Sequence, residues 1–356
     1  MNPYDFVRID WNHAPVRRAY TPQDRFDGLS GKVTGTITTE TPLFIPQART
    51  RGSGGAKQFV TNAHGEKIIP GSSLKGLIRS LVETIGPGCW RLFDGEYGSI
   101  DYSAKLPNEF SGCKDLNFLC PSCRMFGLIG DRKRNGTEDE RHLLAGCVGF
   151  EDAICNRFIA HQAIYTPVLD GPKPRHAAWY LAANRRELAG RKFYFHAEGI
   201  NTLPSARVSK KNNVQLNQYI QPVDVGTSFT FSAHFTNLAA DDFSLLLYAL
   251  TLEPSMRHKI GYAKPAGLGS VRIELKELML VDYKQRYTTG TGGKTVHVDI
   301  ALKNFVAQQV QHFTSNQQSH TLNDLRRIWQ WPPQYKIAYP DQQWFETNSQ
   351  TPISQT

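Results

Sequence analysis

Long hydrophobic runs are missing from this chain. No apolar stretch approaches the roughly 20 residues that a membrane-spanning helix needs, and none near the start resembles the core of a secretory leader. The expectation is a soluble, cytoplasmic protein with no membrane partner. Cysteine is scarce: six among 356 residues do not suggest a disulfide scaffold, and in a reducing compartment metal binding is the better use for a cluster of them. An NTPase phosphate loop is absent too. Thr288-Thr289-Gly290-Thr291-Gly292-Gly293-Lys294-Thr295 has the end of that pattern, but threonine stands at position 288, where glycine is required. The stretch reads as a flexible linker. Acidic residues are in deficit, 32 against 41 Lys and Arg, giving a formal charge of +9 and a pI near 9.2. That balance favours a polyanionic partner. With 40% hydrophobic and 21% charged residues, a packed core is within reach, in one large domain or two ordinary ones.

The most informative stretch is Ile68-Ile69-Pro70-Gly71-Ser72-Ser73-Leu74-Lys75-Gly76-Leu77-Ile78-Arg79. Two apolar residues and a proline end an extended segment, and Gly71 permits a turn. Ser72 or Ser73 is placed to cap a helix by accepting from a free N–H of its first turn. Leu74, Leu77, Ile78, Leu81, Val82 and Ile85 then recur at three and four residues as one buried stripe. Lys75 and Arg79, four apart, share another face. Free N–H groups, two hydroxyls and two cations make a phosphate-binding helix start. On spacing alone, an amphipathic helix with a solvated basic face fits the same pattern.

Residues 1–28 lack a period and read as an N-terminal arm. Gly31, Val33, Gly35 and Ile37 alternate with Lys32, Thr34, Thr36 and Thr38 as a strand. A glycine-rich loop with Arg49, Arg51 and Lys57 follows, suited either to a partner that orders it or to plain exposure. Residues 87–144 read as an insertion holding Cys89, Cys113, Cys120 and Cys123. Cys120-Pro121-Ser122-Cys123 has the spacing that lets two thiolates meet one tetrahedral Zn²⁺, and no thioredoxin-like pattern supports a redox role instead. Cys147 and Cys155 read as core residues. Residues 153–224 form a second irregular region, where cations such as Lys192, Arg207, Lys210 and Lys211 lie among Tyr165, Trp179, Tyr180, Phe193, Tyr194 and Phe195. Single-stranded nucleic acid asks for that mixture, although most of the rings taken singly also suit packing. Phe229 to Phe235 alternate as a strand, Phe243–Leu252 reads as a helix, and a glycine-rich stretch from Lys259 to Ser270 precedes the alternating Val271, Ile273 and Leu275. Helices are expected at 299–313 and 322–329, in a tail that begins near 284.

Strand, helix, strand, then strand, helix, strand gives an α+β fold, a ferredoxin-like or RRM-like βαββαβ core with two insertions. Here several stretches together resemble the CRISPR-associated RAMP superfamily. Ile69 to Gly76 with Arg79 is similar to its helix signature. Cys120-Pro121-Ser122-Cys123-Arg124-Met125-Phe126-Gly127 resembles a cysteine-containing run of its backbone subunits. Ala145 to Ala153 is similar to the strand that follows, and Lys264 to Gly269 to the C-terminal glycine-rich loop. The resemblance, covering about residues 30–283, implies a backbone-type subunit of a type III effector complex. It would have a palm over 29–283, a zinc-containing finger at 87–144, a thumb at 153–224, and a linker and tail at 284–356. Its partners would be crRNA, target RNA and other effector subunits. Ser72, Ser73, Lys75, Arg79, Lys264, Gly267 and Gly269 would line the guide path, with Arg49, Arg51 and Lys57 as further RNA contacts. Cys89, Cys113, Cys120 and Cys123 would hold structural zinc. Subunits that cut target RNA carry an aspartate in the loop after the first strand, whereas residues 41–70 contain none and Glu66 is the only carboxylate there. That departure implies binding without cleavage. The alternative is a guide-processing or target-cleaving endoribonuclease on the same fold, using His64 or His258 as general acid–base.

Overall fold

Alternating apolar residues build the central sheet. The computed structural model describes all residues except 23, 48–54, 92, 94, 95, 98, 99, 130–142, 170–176, 183, 185, 291, 316–318, 341, 349 and 354–356. Its main elements are β1 (Leu29–Thr39), β2 (Ile68–Ile69), α1 (Gly71–Ile85), β3 (Val148–Phe150), β4 (Ala153–Arg157), β5 (Ser228–Leu238), α2 (Ala240–Thr251), β6 (His258–Lys259), β7 (Ser270–Val281), β8 (Lys294–Val298), α3 (Asp299–Ser315) and α4 (Ser319–Ile328). The sheet runs β6-β7-β1-β5-β4-β2, with β8 added beside β7 and β3 beside β5. Every pairing in it is antiparallel. The fold is mixed α+β.

The period-two pattern gives the sheet two unlike faces. Val33, Ile37, Phe229, Phe231, Ala233 and Phe235 are buried, while Lys32, Thr34, Thr36, Thr230, Ser232 and His234 remain at least partly exposed. On the buried face Gly31 and Gly35 pair with Phe235 and Phe231. A side chain at either glycine would strike the β7 backbone, at the carbonyl of Met279 or Glu274, and the phenylalanine ring opposite. The glycines therefore make room for the rings of the next strand.

Leu74, Ile78, Leu81, Val82 and Ile85 of α1 are buried, with Leu77 half-buried at the margin. From Phe243 to Leu250 every residue of α2 is buried, because α3 covers its outer side. Phe243 meets Phe305, Tyr248 meets Phe313, and Ser244 Oγ donates to Gln309 Oε1 at 2.7 Å. The segment expected as linker and tail thus adds an edge strand, helices at 299–315 and 319–328 where 299–313 and 322–329 were expected, and the buried Trp329 to the core. The N-terminal segment is also built in. Tyr4–Val7 pairs with Arg191–Tyr194, and Arg8 forms a two-pronged ion pair with Asp324 of α4 at 2.7 and 3.0 Å.

The cysteine-bearing insertion has its own small core of Cys89, Cys113, Leu119, Cys120, Cys123 and Leu128. Arg124, in the short helix Pro121–Phe126, fixes it to the body through a buried bidentate pair with Asp242 in the first turn of α2, at 2.7 and 2.8 Å. The basic run Arg132-Lys133-Arg134 with Arg141 lies outside the described residues.

Candidate nucleic-acid interface and metal centre

The turn into α1 departs from the expected cap. Pro70 is the N-cap, and neither serine caps with its side chain. The Gly71 N–H donates instead to Asp152 Oδ1 at 2.8 Å, reaching from the turn between β3 and β4. That turn presses so close that a Cβ on Gly71 would lie 2.3 Å from the Phe150 carbonyl oxygen. A carboxylate at a helix start is stabilised by the unpaired N–H groups and the dipole, so the fold supplies its own anion at one donor. Ser72, Gly76 and Ser80 recur every fourth residue on the exposed side of the helix. Lys75 beside them is half-buried, and burial, then Arg79, push its ammonium down.

Arg79 faces the cysteine insertion. Its Nε donates to Glu83 Oε1 at 2.9 Å and its Nη1 to the Gly127 carbonyl at 3.1 Å. Glu83 also accepts from Ser122 Oγ at 3.1 Å and pairs with Arg191 at 3.5 Å. Arg191 in turn donates to the Gly88 and Cys89 carbonyls. Glu83 is therefore the joint between α1, the insertion and the Arg191 strand.

Cys89, Cys113, Cys120 and Cys123 are all buried, and their Sγ atoms lie within 4.8 Å of one another. A tetrahedral zinc with Zn–S near 2.3 Å holds its sulfurs about 3.8 Å apart, close to the 3.6 Å between Cys89 and Cys123. The surroundings suit thiolates. The Cys120 N–H donates to Cys113 Sγ at 3.3 Å and Arg17 Nη1 donates to it at 3.2 Å, and such outer bonds orient metal-bound sulfur. The donor set is compatible with a structural metal. Cys147 and Cys155 stand apart from it, half-buried.

A second cationic site forms where the glycine-rich stretch meets the Arg191–Tyr194 strand. Gly261, Ala263, Gly267 and Gly269 all have positive φ. A Cβ on Gly269 would lie 1.9 Å from the Ile260 carbonyl oxygen, and one on Gly267 2.6 Å from that of Gly199. Both glycines are buried, and what approaches them is the chain's own backbone. They shape the loop that presents Lys264, whose Nζ donates to the Gly261 carbonyl at 2.7 Å. Lys192 lies over the Tyr4 ring at 3.5 Å and near Tyr194 at 4.9 Å. Lys259 is fully enclosed, donating to the Gly267 carbonyl and Ser270 Oγ, both at 3.3 Å. Ser270 Oγ also lies 2.7 Å from Nδ1 of the buried His196, whose Nε2 lies 3.0 Å from the Arg257 carbonyl. None of the three lysines forms an ion pair among the described residues. Burial, then Lys264, lowers Lys192 to about 8 and Lys259 to about 7, and burial lowers Lys264 itself.

The expected loop contacts divide. Arg49 and Arg51 lie outside the described residues. Lys57 is held by the 218–221 segment: its Nζ bonds Gln218 Oε1, and its N–H donates to the Tyr219 carbonyl at 2.9 Å. Just upstream, an exposed hairpin closes between Val208 and Gln215 and carries Arg207, Lys210 and Lys211. Of the rings expected to meet nucleic acid, Trp179, Phe193 and Phe195 are buried in cores, while Tyr165 stacks on Tyr219. His258 corrects an expectation. Offered as a general acid–base, it is 1% exposed, with Nε2 2.8 Å from the Ala249 carbonyl. Burial lowers its pKa to about 4. Glu66 is exposed and accepts from Asn62 Nδ2 at 2.8 Å, and His64 is exposed beside it.

Sequence reading missed Asp152, Glu83 and Lys259 as parts of these sites. Lys192 stood among the cations of 153–224 expected to meet nucleic acid, and its alternation and that of Tyr194 with Phe193 and Phe195 put cation and phenol on one strand face.

The arrangement defines a basic α+β protein with a cysteine cluster compatible with a metal. The family model of the RAMP superfamily matches residues 36–272, about two thirds of the chain, and the protein belongs to that superfamily, whose members bind RNA in CRISPR-associated systems. A comparison with curated proteins finds no match. No helix among the described residues is long and apolar enough to cross a membrane.

Proposed function

We propose that this chain is a guide-RNA-binding backbone subunit of a type III CRISPR effector complex, positioning crRNA and target RNA without cutting them. The observation that carries this reading is that Lys192 and Lys264 approach the same Tyr194 ring, at 4.9 and 5.9 Å, with Lys259 enclosed behind them and no ion pair to any of the three among the described residues. Like charges crowded in a partly desolvated place repel unless an anion joins them, and a phosphate backbone is the anion that RAMP proteins meet. Lys75 on α1 and Lys57 extend the same path, Gly267 and Gly269 shape it, and Ser72 and Ser73 offer hydroxyls along it. Arg79 serves it from behind by anchoring the insertion.

The strand order β7-β1-β5-β4, with α1 and α2 in the crossovers, supports reading the sheet as a ferredoxin-like palm. The cysteine insertion is its finger, with zinc as the metal, and the exposed hairpin around residues 207–217 is its thumb. The lack of aspartate in 41–70 and the enclosure of His258 support the non-cleaving reading. The test is incubation of the purified chain with repeat RNA and with target RNA, in chelator and in Mg²⁺. Binding without a specific cut is expected. A specific cut with repeat RNA in chelator would make the protein a guide-processing endoribonuclease instead.

A further inference from the structure

Between α1, the base of the cysteine insertion and the Arg191–Tyr194 strand lies a cavity of about 300 Å³. Five rings line it: Phe6, Trp90, Phe93, Tyr102 and Tyr180. Ser80, Arg191 and Lys192 complete its polar wall, and no acidic residue among the described residues lines it. The rings support one another edge to face, with Trp90 and Phe93 centred 5.3 Å apart and Phe6 and Tyr180 6.1 Å apart. The Arg191 guanidinium covers Trp90 at 4.5 Å. Two buried donors there, the Trp90 indole N–H and Arg191 Nε–H, have no hydrogen-bond partner among the described residues. A buried donor without an acceptor is costly and calls for an explanation, and an acceptor brought by a ligand is one that fits a ring-lined cavity.

The cavity also continues the proposed RNA path. Lys192 belongs to both, and Ser80 ends the exposed Ser72-Gly76-Ser80 line on α1, where a Cβ at Gly76 would touch nothing within 4 Å. A strand laid along that smooth side of the helix arrives at the mouth of the cavity.

We propose that this cavity receives a single unstacked nucleobase, gripped between rings and read by donors. The inference rests on the RNA-binding reading for the source of the base, while its chemistry would equally suit a free nucleotide. Flat π-faces accept any base, but unpaired N–H groups ask for an edge of acceptors. Guanine presents adjacent acceptors at O6 and N7, whereas adenine pairs its N7 acceptor with an amino donor. Guanine is therefore the preferred purine.

The test uses the full chain and two variants. Phe93→Ala removes one ring, and Ser80→Trp plugs the mouth from the exposed side of α1 while leaving the buried rings in place. Binding is measured for a guanine-containing single-stranded RNA, for the same RNA with adenine in place of guanine, and for GMP and AMP alone. RNA carrying 6-thioguanosine is photo-crosslinked and the peptides identified. Both variants are expected to weaken the guanine RNA about tenfold, the scale of one lost base–aromatic stack. Its salt slope should stay unchanged, because no phosphate contact is removed. The crosslink should fall on the peptides of Phe93, Tyr102 or Tyr180. Saturable GMP binding that Ser80→Trp abolishes would assign the cavity to a free nucleotide, and GMP indifference beside RNA binding to a base of the strand. Parental RNA affinity and no GMP binding in both variants, with crosslinks elsewhere, would overturn the cavity while leaving RNA binding intact. Adenine binding as well as guanine would overturn the donor-edge argument. Loss of all RNA binding in the unmodified chain would instead remove the reading on which the RNA source rests.

Discussion

Lys192 and Lys264 carry charge that no described acidic side chain balances, and this makes their contribution measurable. Each neutralised phosphate contributes about 0.9 to the log–log salt slope of duplex binding and about 0.7 for a single strand. Lys192→Ala and Lys264→Ala should each weaken RNA binding and shallow that slope by roughly 0.7, and an unchanged slope in fluorescence anisotropy would place these cations off the path. Their titration gives a second handle. Lys192 falls from 10.5 to about 8 and Lys259 from 10.5 to about 7 on folding. The unfolded chain then binds more protons across pH 7 to 10, so the free protein gains stability as pH rises through that window. RNA binding runs the opposite way, because phosphate favours the ammonium form. Affinity should be greatest below about pH 7 and fall as pH passes 8. Lys192→Arg, charged throughout, should flatten the upper part of that fall, and a pH-independent affinity in the unmodified chain would contradict the account.

At the scale of elements, the glycine-rich loop is where local strain meets the proposed RNA path. Gly269→Ala would place a methyl against the Ile260 carbonyl at a φ of +86°, and a cost of about 2 kcal/mol or more is expected. Thermal unfolding should show the loss, and an unchanged Tm would mean the loop relaxes without penalty. Periodic elements were legible in the sequence. The α1 stripe and the alternation in β1, β5 and β7 each report one buried face, and one face is all that pattern encodes. Contacts made at a distance were not. Asp152 caps α1 from 81 residues away, so Ser72 and Ser73 looked like caps only because they were near. Strands β2 and β6 have two residues each, too short for any period. The helix of 240–251 is apolar on all sides because α3 covers it, and that partner stood in a segment read as tail. Four cysteines were legible as a set because CxxC fixes one half, whereas the role of Arg79 depended on Glu83 and Gly127 meeting it in space.

For the whole molecule, the cysteine insertion is joined to the body through Arg124–Asp242, the Glu83 joint and the N-terminal segment, where Arg17 donates to Cys113 Sγ and Arg18 pairs with Leu119. Its own core consists mainly of the four cysteines, so metal and fold should be lost together. Cys120→Ser with Cys123→Ser should release about one zinc per chain and open residues 87–144 to protease while the central sheet stays folded. Metal analysis finding no zinc in the unmodified protein would contradict that assignment. The basic path, the smooth side of α1 and the Arg207–Lys211 hairpin together imply a protein that works on a bound strand among neighbours, and this central claim has a direct test. The tagged protein would be purified from its native host under mild conditions, its bound RNA sequenced and its bound proteins identified. The account predicts short RNAs with one uniform, repeat-derived end, together with other effector subunits. RNA of dispersed ends, or none, without such partners would contradict it.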